Sequence, residues 1–173
     1  MGKKRYQLLE NLLECSRMQT GTISFNPGPV ELITVVDDAI EVETIGLKNK
    51  QIEIETHIET GLIVYSDYNM VYIVMRNLIS NACNFTHLNG KITIGASIDW
   101  NNSNVEVVVS DTGVGISAKN QENIFRIGHN VRSAGTGNEM GSGLGLILCK
   151  EFVEKQRADL ERKRRKYWHQ SIY

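Results

Sequence analysis

The stretch from residue 70 to residue 85 constrains the fold most strongly, because it predicts an amphipathic helix with an unusual polar border. Asn77, Asn81 and Asn84 form a stripe beside its apolar face. Asparagine is a poor helix former, so three in one stripe need an explanation. They line either a solvated helix flank or a wall facing a ligand, where amide oxygens complete the shell of a cation such as Mg²⁺. The apolar side chains that share one face at roughly 100° per residue are Val71, Val74, Met75, Leu78, Ile79, Ala82 and Phe85.

Two glycine motifs follow this helix in the chain. A strand predicted at 105–109 leads to Asp111 and Gly113, and a carboxylate beside glycine at a strand end suits a ligand that the backbone approaches closely. A tight turn held by the aspartate side chain is the alternative. The run 141–146 contains three glycines and leads into a helix predicted over 144–154, whose first N–H groups could face an anion. Its spacing fits neither the Walker nor the Rossmann pattern.

The remaining hydrophobic periodicity predicts a fold of mixed helices and strands. Helices are expected at 4–19 and 31–48, with an extended, proline-containing linker at 21–30 between them. Further strands are expected at 52–55, 62–65 and 92–94. Because helices and strands interleave around antiparallel-looking hairpins, we expect an α+β protein. Its predicted architecture is a two-layer α/β sandwich with a mixed, mostly antiparallel sheet covered by helices on one face.

Taken together, in this order and at this separation, the three motifs resemble the nucleotide site of sensor histidine kinases. These share an ATP-binding fold with type II topoisomerases, MutL and the heat-shock chaperone ATPases. The resemblance implies that Asn81 binds the Mg²⁺ that bridges the ATP phosphates and that Phe85 flanks the nucleotide. Asp111 would accept the adenine amino group, with Gly113 making room for the base. Gly115 and Ile116 would open a mobile lid over the site.

The same resemblance assigns the ribose and phosphates to the second glycine motif, which comprises Gly141, Ser142, Gly143, Leu144, Gly145 and Leu146. Asn77 stands where related hydrolases carry a glutamate that acts as general base. A neutral amide cannot take a proton at pH 7, so the helix favours phosphoryl transfer over hydrolysis. Asn84 replaces a lysine of many relatives, which leaves the phosphate end less positive. The resemblance also implies a phenylalanine box at 123–125 and a flexible stretch at 134–137. His129 and Arg132 could touch phosphate there, although solvated loop positions are the preferred interpretation.

The resemblance divides the chain into four parts. These are the end of a dimerisation and phosphotransfer helix at 1–20, the linker at 21–30, the ATP-binding domain at 31–155 and an atypical basic tail at 156–173. An acceptor histidine in the family's sequence context is absent from the chain, so we expect no phosphorylation in cis. The implied partners are a histidine-bearing dimerisation domain of the same full-length protein, which would be a homodimer, and a response-regulator receiver domain.

The tail departs from the family pattern after Lys155. Residues 156–170 lack glycine and are predicted to continue the preceding helix, which would leave a neighbouring sheet edge uncovered. A one-base shift of the reading frame over this stretch would restore a glycine-containing segment like that of the family, and the nucleotide sequence tests this. The basic run 162–166 is interpreted as a solvated helix end, with an acidic partner as the alternative.

Composition limits the other function classes. A net charge of −1 does not favour binding to nucleic acid or to a membrane surface. The three cysteines form no metal-binding pattern, and no segment predicts a signal peptide or membrane span. We therefore expect a cytoplasmic protein, or the cytoplasmic part of a membrane-anchored sensor. The alternatives to a kinase are an impaired dimerisation or sensing module without ATP turnover, and an ATP-hydrolysing conformational machine.

Overall fold

The computed structural model describes residues 24–99, 104–121, 123–125, 136, 144–156, 160–161 and 168–172. Four helices are found among them: α1 (Leu32–Asn49), α2 (Tyr68–Phe85), α3 (Ala118–Gln121) and α4 (Gly145–Lys155). The strands are β1 (Gly28–Glu31), β2 (Glu53–His57), β3 (Ile63–Ser66), β4 (Lys91–Asp99), β5 (Asn104–Asp111), β6 (Leu160–Glu161) and β7 (Trp168–Ile172). The helix predicted at 4–19 lies outside the described residues.

Most predicted elements are confirmed. The helices expected at 31–48, 70–85 and 144–154 are α1, α2 and α4. The four expected strands are β2 to β5, and β4 and β5 extend further than their apolar cores. The short helix α3 was not predicted, because its four residues carry no apolar period.

The strands form two sheets. β1 and β3 pair antiparallel in a two-stranded sheet, while the larger sheet has the order β2-β4-β5-β7-β6. In the larger sheet β2 runs parallel to β4, and the β4–β5, β5–β7 and β6–β7 pairs are antiparallel. The prediction of a mixed, mostly antiparallel sheet is confirmed.

One hydrophobic core joins the helices to one face of the larger sheet. Alternate residues of its central strands point into this core, as the period of two requires: Ile92, Ile94, Val107 and Val109 are all buried. The three long helices cover them with an almost fully buried set that includes Val35, Val36, Ala39, Leu78, Ile79, Leu148 and Phe152. The predicted two-layer architecture is confirmed.

The proline-containing segment predicted as a linker at 21–30 differs from the prediction at its C-terminal end. Its last residues are a strand, since Gly28 lies opposite Ser66 and Pro29 opposite Tyr65 in the antiparallel β1–β3 pair. Proline is tolerated here because β1 pairs only with β3 among the described strands, so it lies at a sheet edge where a missing N–H is acceptable. Extended backbone was predicted correctly, but its partner β3 could not be identified from the local pattern.

The tail after Lys155 also differs from the prediction. α4 ends at Lys155, so the prediction that the helix continues is wrong. β7 pairs with β5, with Asp111 opposite Trp168 and Val107 opposite Ile172, and therefore covers the β5 edge that was expected to be open. The unpaired N–H and C=O groups of β5 provide a template for any extended segment, and aromatic and β-branched residues favour that role.

The described cysteines, Cys83 and Cys149, are buried, and neither forms a disulfide bond within the described part of the chain. Within the described part of the chain, no helix has both the length and the apolar character needed to cross a membrane.

Candidate functional site

The three asparagines of the stripe on α2 are buried or half-buried. Asn77 is 4% exposed, and its Nδ2 donates to the carbonyl of Ile73 at 2.8 Å. Asn81 and Asn84 are half-buried. The interpretation as a solvated flank is therefore wrong for Asn77, which lies against a neighbouring element, and the other two are partly covered.

The first glycine motif lies against the C-terminal end of α2. The Gly113 N–H donates to Oδ1 of Asp111 at 2.8 Å, and the Val114 N–H donates to the carbonyl of Phe85 at 3.2 Å. A Cβ added to Gly113 would lie only 2.2 Å from the Phe85 oxygen, so this position requires glycine. The alternative of a turn held by the aspartate describes the local geometry correctly, and that turn is also fixed to α2.

Burial raises the pKa of Asp111, and the hydrogen bond from Gly113 lowers it by a smaller amount. Among the described residues only Oδ1 is engaged, which leaves Oδ2 as an acceptor for a ligand. A partly desolvated carboxylate of this kind is typical of a binding position.

The chain after this motif turns at Gly115, whose φ of 67° lies in the region that favours glycine. Ile116 is half-buried, and its carbonyl accepts from Nε2 of Gln121 at 2.9 Å. Ile124 is buried and Phe125 half-buried, so the predicted phenylalanine box packs against the protein.

The second glycine motif contacts α2 through Gly145, which is the first residue of helix α4. A Cβ added to Gly145 would lie 2.7 Å from Oδ1 of Asn77, which shows how closely the start of α4 approaches the stripe. Leu144 precedes the helix as its N-cap, and Leu146 packs against the core. Residues 141–143 lie outside the described residues.

Other predicted positions also lie outside them. These are His129, Arg132 and the stretch 134–137 apart from Thr136.

Lys50 also belongs to this region, although it was not among the predicted site residues. Its Nζ donates to the carbonyls of Cys83 and Asn84, each at 2.8 Å, and to Oγ1 of Thr136 at 2.9 Å. Thr136 in turn donates its backbone N–H to the Asn84 carbonyl at 3.1 Å. No local pattern singles out Lys50, because it follows an exposed helix end, where a lysine is common.

The residues present fit a cation that is coordinated mainly by the phosphates of a bound substrate and only in part by the protein. The described residues contain no group of three His, Cys, Asp or Glu side chains that could hold a metal by themselves. Mg²⁺ commonly binds through one or two protein oxygens together with substrate phosphates, and the amide oxygen of Asn81 can supply such a donor. The fully buried Thr86 Oγ1 has no hydrogen-bond partner among the described residues, so its hydrogen-bonding capacity is still available.

The arrangement brings three kinds of group together along α2. A half-buried carboxylate lies at its C-terminal end, amides lie along one side, and a glycine-rich helix start touches its middle. These groups suit a ligand with hydrogen-bond donors at one end and anionic groups at the other.

Comparison with known proteins agrees with this chemistry. Residues 66–170, more than half of the chain, match the family model described as histidine kinase-, DNA gyrase B-, and HSP90-like ATPase. The chain is 31% identical over 170 residues to the uncharacterized sensor-like histidine kinase ycf26 of Porphyra purpurea, a match that covers 89% of this chain and 25% of that protein. It is 32% identical over 149 residues to the sensor-like histidine kinase SenX3 of Mycobacterium tuberculosis, covering 84% of this chain and 35% of SenX3. The chain thus spans about a quarter to a third of these curated relatives.

Solved structures share the fold. The histidine kinase AdeS of Acinetobacter baumannii superposes with a TM-score of 0.77 at 19% identity, covering 96% of this chain and 76% of that one. Full-length ShkA in complex with AMPPNP gives a TM-score of 0.75 at 21% identity, covering 96% and 34%. ThkA in complex with the response regulator protein TrrA gives 0.69 at 18% identity, covering 97% and 48%.

Proposed function

This chain belongs to the family of histidine kinase-, DNA gyrase B- and HSP90-like ATPases, and from that premise we propose a specific role for it. Residues 31–155 are the ATP-binding catalytic domain of a two-component sensor histidine kinase. The domain transfers the γ-phosphate of ATP to a histidine that lies on a separate segment or chain.

One observation carries the proposal: both glycine motifs touch the same asparagine-bearing helix. Gly113 lies against the Phe85 carbonyl and Gly145 against the Asn77 amide, at distances that a Cβ could not tolerate without movement. The two glycines are far apart in the chain, so their approach to one helix supports a single cradle built for a ligand.

Each motif has a part in binding ATP. Asp111 accepts the adenine amino group through Oδ2, and Phe85 flanks the nucleotide. The amide oxygen of Asn81 binds Mg²⁺, and backbone N–H groups in the run 141–146 bind the phosphates, helped by the dipole of α4. Residues 115–116 open the segment that closes over the site. ShkA, which shares the fold, was solved with the ATP analogue AMPPNP, in keeping with a nucleotide ligand.

The chemistry is transfer rather than hydrolysis. An imidazole nitrogen of the acceptor forms a bond to the γ-phosphorus while the bond from that phosphorus to the β,γ-bridging oxygen breaks, and ADP leaves. When bound, Mg²⁺ neutralises charge on the phosphate oxygens. Asn77 supports transfer because a neutral amide, already hydrogen-bonded to its own helix, cannot remove a proton from water.

The partners follow from the same proposal. The acceptor histidine belongs to a dimerisation domain of the full-length protein, which is a homodimer, and a response-regulator receiver domain accepts the phosphoryl group afterwards. The complex of ThkA with the response regulator TrrA provides a precedent in a protein of the same fold. The kinase would act in the cytoplasm.

Calorimetric titration with Mg-ATP tests the site. We expect saturable binding that weakens about tenfold or more in Asn81→Ala, since a ligand to the cation is lost. Asn49→Ala, at the exposed C-terminal end of α1, is the matched control and should bind like the wild type. Absence of binding by the wild-type protein would overturn the kinase proposal and favour a module without ATP turnover.

A labelling assay tests the reaction. With radiolabelled ATP and a histidine-bearing dimerisation domain added as a separate chain, acid-labile label should appear on that domain and not on this chain. Steady release of inorganic phosphate without any labelled histidine would instead identify an ATP-hydrolysing machine.

A further inference from the structure

A cluster of hydrogen bonds closes the C-terminal end of α2, with the ammonium of Lys50 at its centre. Besides its three contacts of 2.8 to 2.9 Å, Nζ lies 3.4 Å from the carbonyl of Thr86. The last carbonyls of a helix lack helical donors and carry partial negative charge, so a cation at this end is favoured. The last turn of α2 contains no basic residue of its own, and Lys50 provides the charge from the end of α1.

Thr136 is fixed to the same carbonyls. Its N–H donates to the Asn84 carbonyl at 3.1 Å, and its Oγ1 lies 2.8 Å from the carbonyl of Thr86. In the chain, Thr136 lies between the proposed adenine-binding residue Asp111 and the proposed phosphate-binding run that begins at Gly141. The place where Thr136 is held therefore limits how that run can approach the nucleotide.

Lys50 and Thr136 depend on each other through shared acceptors. Both donate to the Asn84 carbonyl, and the ammonium also donates to the Thr136 hydroxyl. Hydrogen bonds that involve a charged group are stronger than neutral ones, so the ammonium is the dominant member of the cluster. Without the ammonium, Thr136 would lose one of its contacts and the helix carbonyls would lose a donor.

We propose that Lys50 is a positioning residue for nucleotide binding. It fixes Thr136 on the C-terminal end of α2 and so limits how the chain can reach Gly145, which lies against Asn77. This role rests on the proposed kinase function, but the anchoring of Thr136 can be measured without any nucleotide.

Hydrogen exchange on the ligand-free protein tests the anchoring. The Thr136 amide should be protected in the wild type, and Lys50→Met should speed its exchange about tenfold or more, because local opening becomes easier. Lys48→Met removes the same charge from an exposed position two residues away and should leave this exchange rate unchanged. Equal exchange in Lys50→Met and wild type, or an unprotected amide in the wild type, would overturn the anchoring.

Binding of Mg-ATP tests the consequence. We expect Lys50→Met to weaken binding about tenfold, and Thr136→Val to weaken it by a smaller factor through loss of the hydroxyl contacts. The double variant should lose less affinity than the two single losses combined, since part of the effect of the hydroxyl depends on its contact with the ammonium. If Lys50 only capped α2, Lys50→Met would lower the melting temperature, and its effect on affinity would not depend on Thr136. Additive losses of affinity in the double variant would therefore overturn the inference. Thr136→Val changes a single loop side chain and keeps the test decisive if Lys50→Met folds poorly.

Different results would overturn the kinase proposal and the positioning role of Lys50. Protection of the Thr136 amide that depends on Lys50, together with no ATP binding by the wild type, would overturn the kinase proposal and the nucleotide role while supporting the anchoring. Normal ATP binding by Lys50→Met would overturn the inference and leave the kinase proposal intact.

Discussion

The two ends of α2 are closed in different ways. At the N-terminal end, Asp67 is 4% exposed, its Oδ1 accepts from the Met70 N–H at 3.2 Å and its Oδ2 from the Asn26 N–H at 2.8 Å. At the C-terminal end, the carbonyls are met by Lys50 and Thr136, which lie far away in the sequence. The first end uses the residue immediately before the helix, whereas the second is assembled from remote segments.

Because of this difference, the N-terminal end of α2 contributes to stability, whereas the C-terminal end also bears on nucleotide binding. The cap at the N-terminal end does not depend on the residues of the proposed binding site, because an aspartate N-cap needs only its own helix. The C-terminal end adjoins Phe85, Gly113 and Asp111, where the ligand is proposed to lie. Changes at the first end should therefore lower stability alone, and changes at the second should alter nucleotide affinity, with or without a change in stability.

The largest effect is expected from Gly113→Ala at the C-terminal end. The added methyl would meet the Phe85 carbonyl, which is helix backbone and cannot rotate away. Overpacking of this kind costs about 3 kcal/mol, which for a chain of this size lowers the melting temperature by roughly 6–12 °C. Thermal unfolding followed by circular dichroism measures it.

Gly28→Ala is the control for this substitution. No described residue lies within 4 Å of a Cβ at this position, so the variant should melt within about 2 °C of the wild type. Equal melting temperatures for Gly113→Ala and Gly28→Ala would show that the first glycine motif does not lie against α2.

Asp111→Asn should have the next largest effect, and it acts on binding. The amide keeps the acceptor for the Gly113 N–H but turns a donor toward the adenine amino group, so Mg-ATP affinity should fall about a hundredfold. Calorimetry with Mg-ATP measures this loss. Undiminished affinity would remove Asp111 from the proposed site.

The same variant should not lose stability at neutral pH. Burial raises the pKa of Asp111 in the folded protein above its unfolded value, so the stability it contributes is present at low pH and is lost as pH rises through the folded pKa. Asn avoids that loss, and the ligand-free variant should melt at or above the wild-type temperature at pH 7. The difference in melting temperature between the variant and the wild type should disappear as pH falls below about 3.9, the usual pKa of an unfolded aspartate.

Asp67→Ala probes the other end with a moderate effect. It removes the N-cap and the contact to the Asn26 N–H, which should cost about 1–2 kcal/mol and lower the melting temperature by roughly 2–8 °C. Affinity for Mg-ATP measured well below the melting temperature should not change. Asp67→Asn keeps an effective N-cap and should recover most of the stability, and a loss of affinity in Asp67→Ala would contradict the separation of the two ends.

The contrast between the ends also explains what the sequence could predict. The asparagine stripe and both glycine motifs were predicted because each is encoded within a few neighbouring residues. The pairing of Pro29 with Tyr65, the pairing of β7 with β5 and the contacts of Lys50 were not, because each joins segments distant in the chain. Periodicity describes what a segment can become, and the available partner decides which extended segments become strands.

Gly145→Ala should have the smallest effect, because two contributions oppose each other. Alanine stabilises a helix by up to about 1 kcal/mol relative to glycine, while its Cβ would press against the Asn77 amide oxygen. That oxygen belongs to a side chain that can move, so the net loss of stability should stay below about 1 kcal/mol. In an Asn77→Ala background the obstacle is gone and Gly145→Ala should instead be stabilising. Chemical denaturation of the four proteins measures this coupling, and strictly additive effects would show that the second glycine motif does not touch α2.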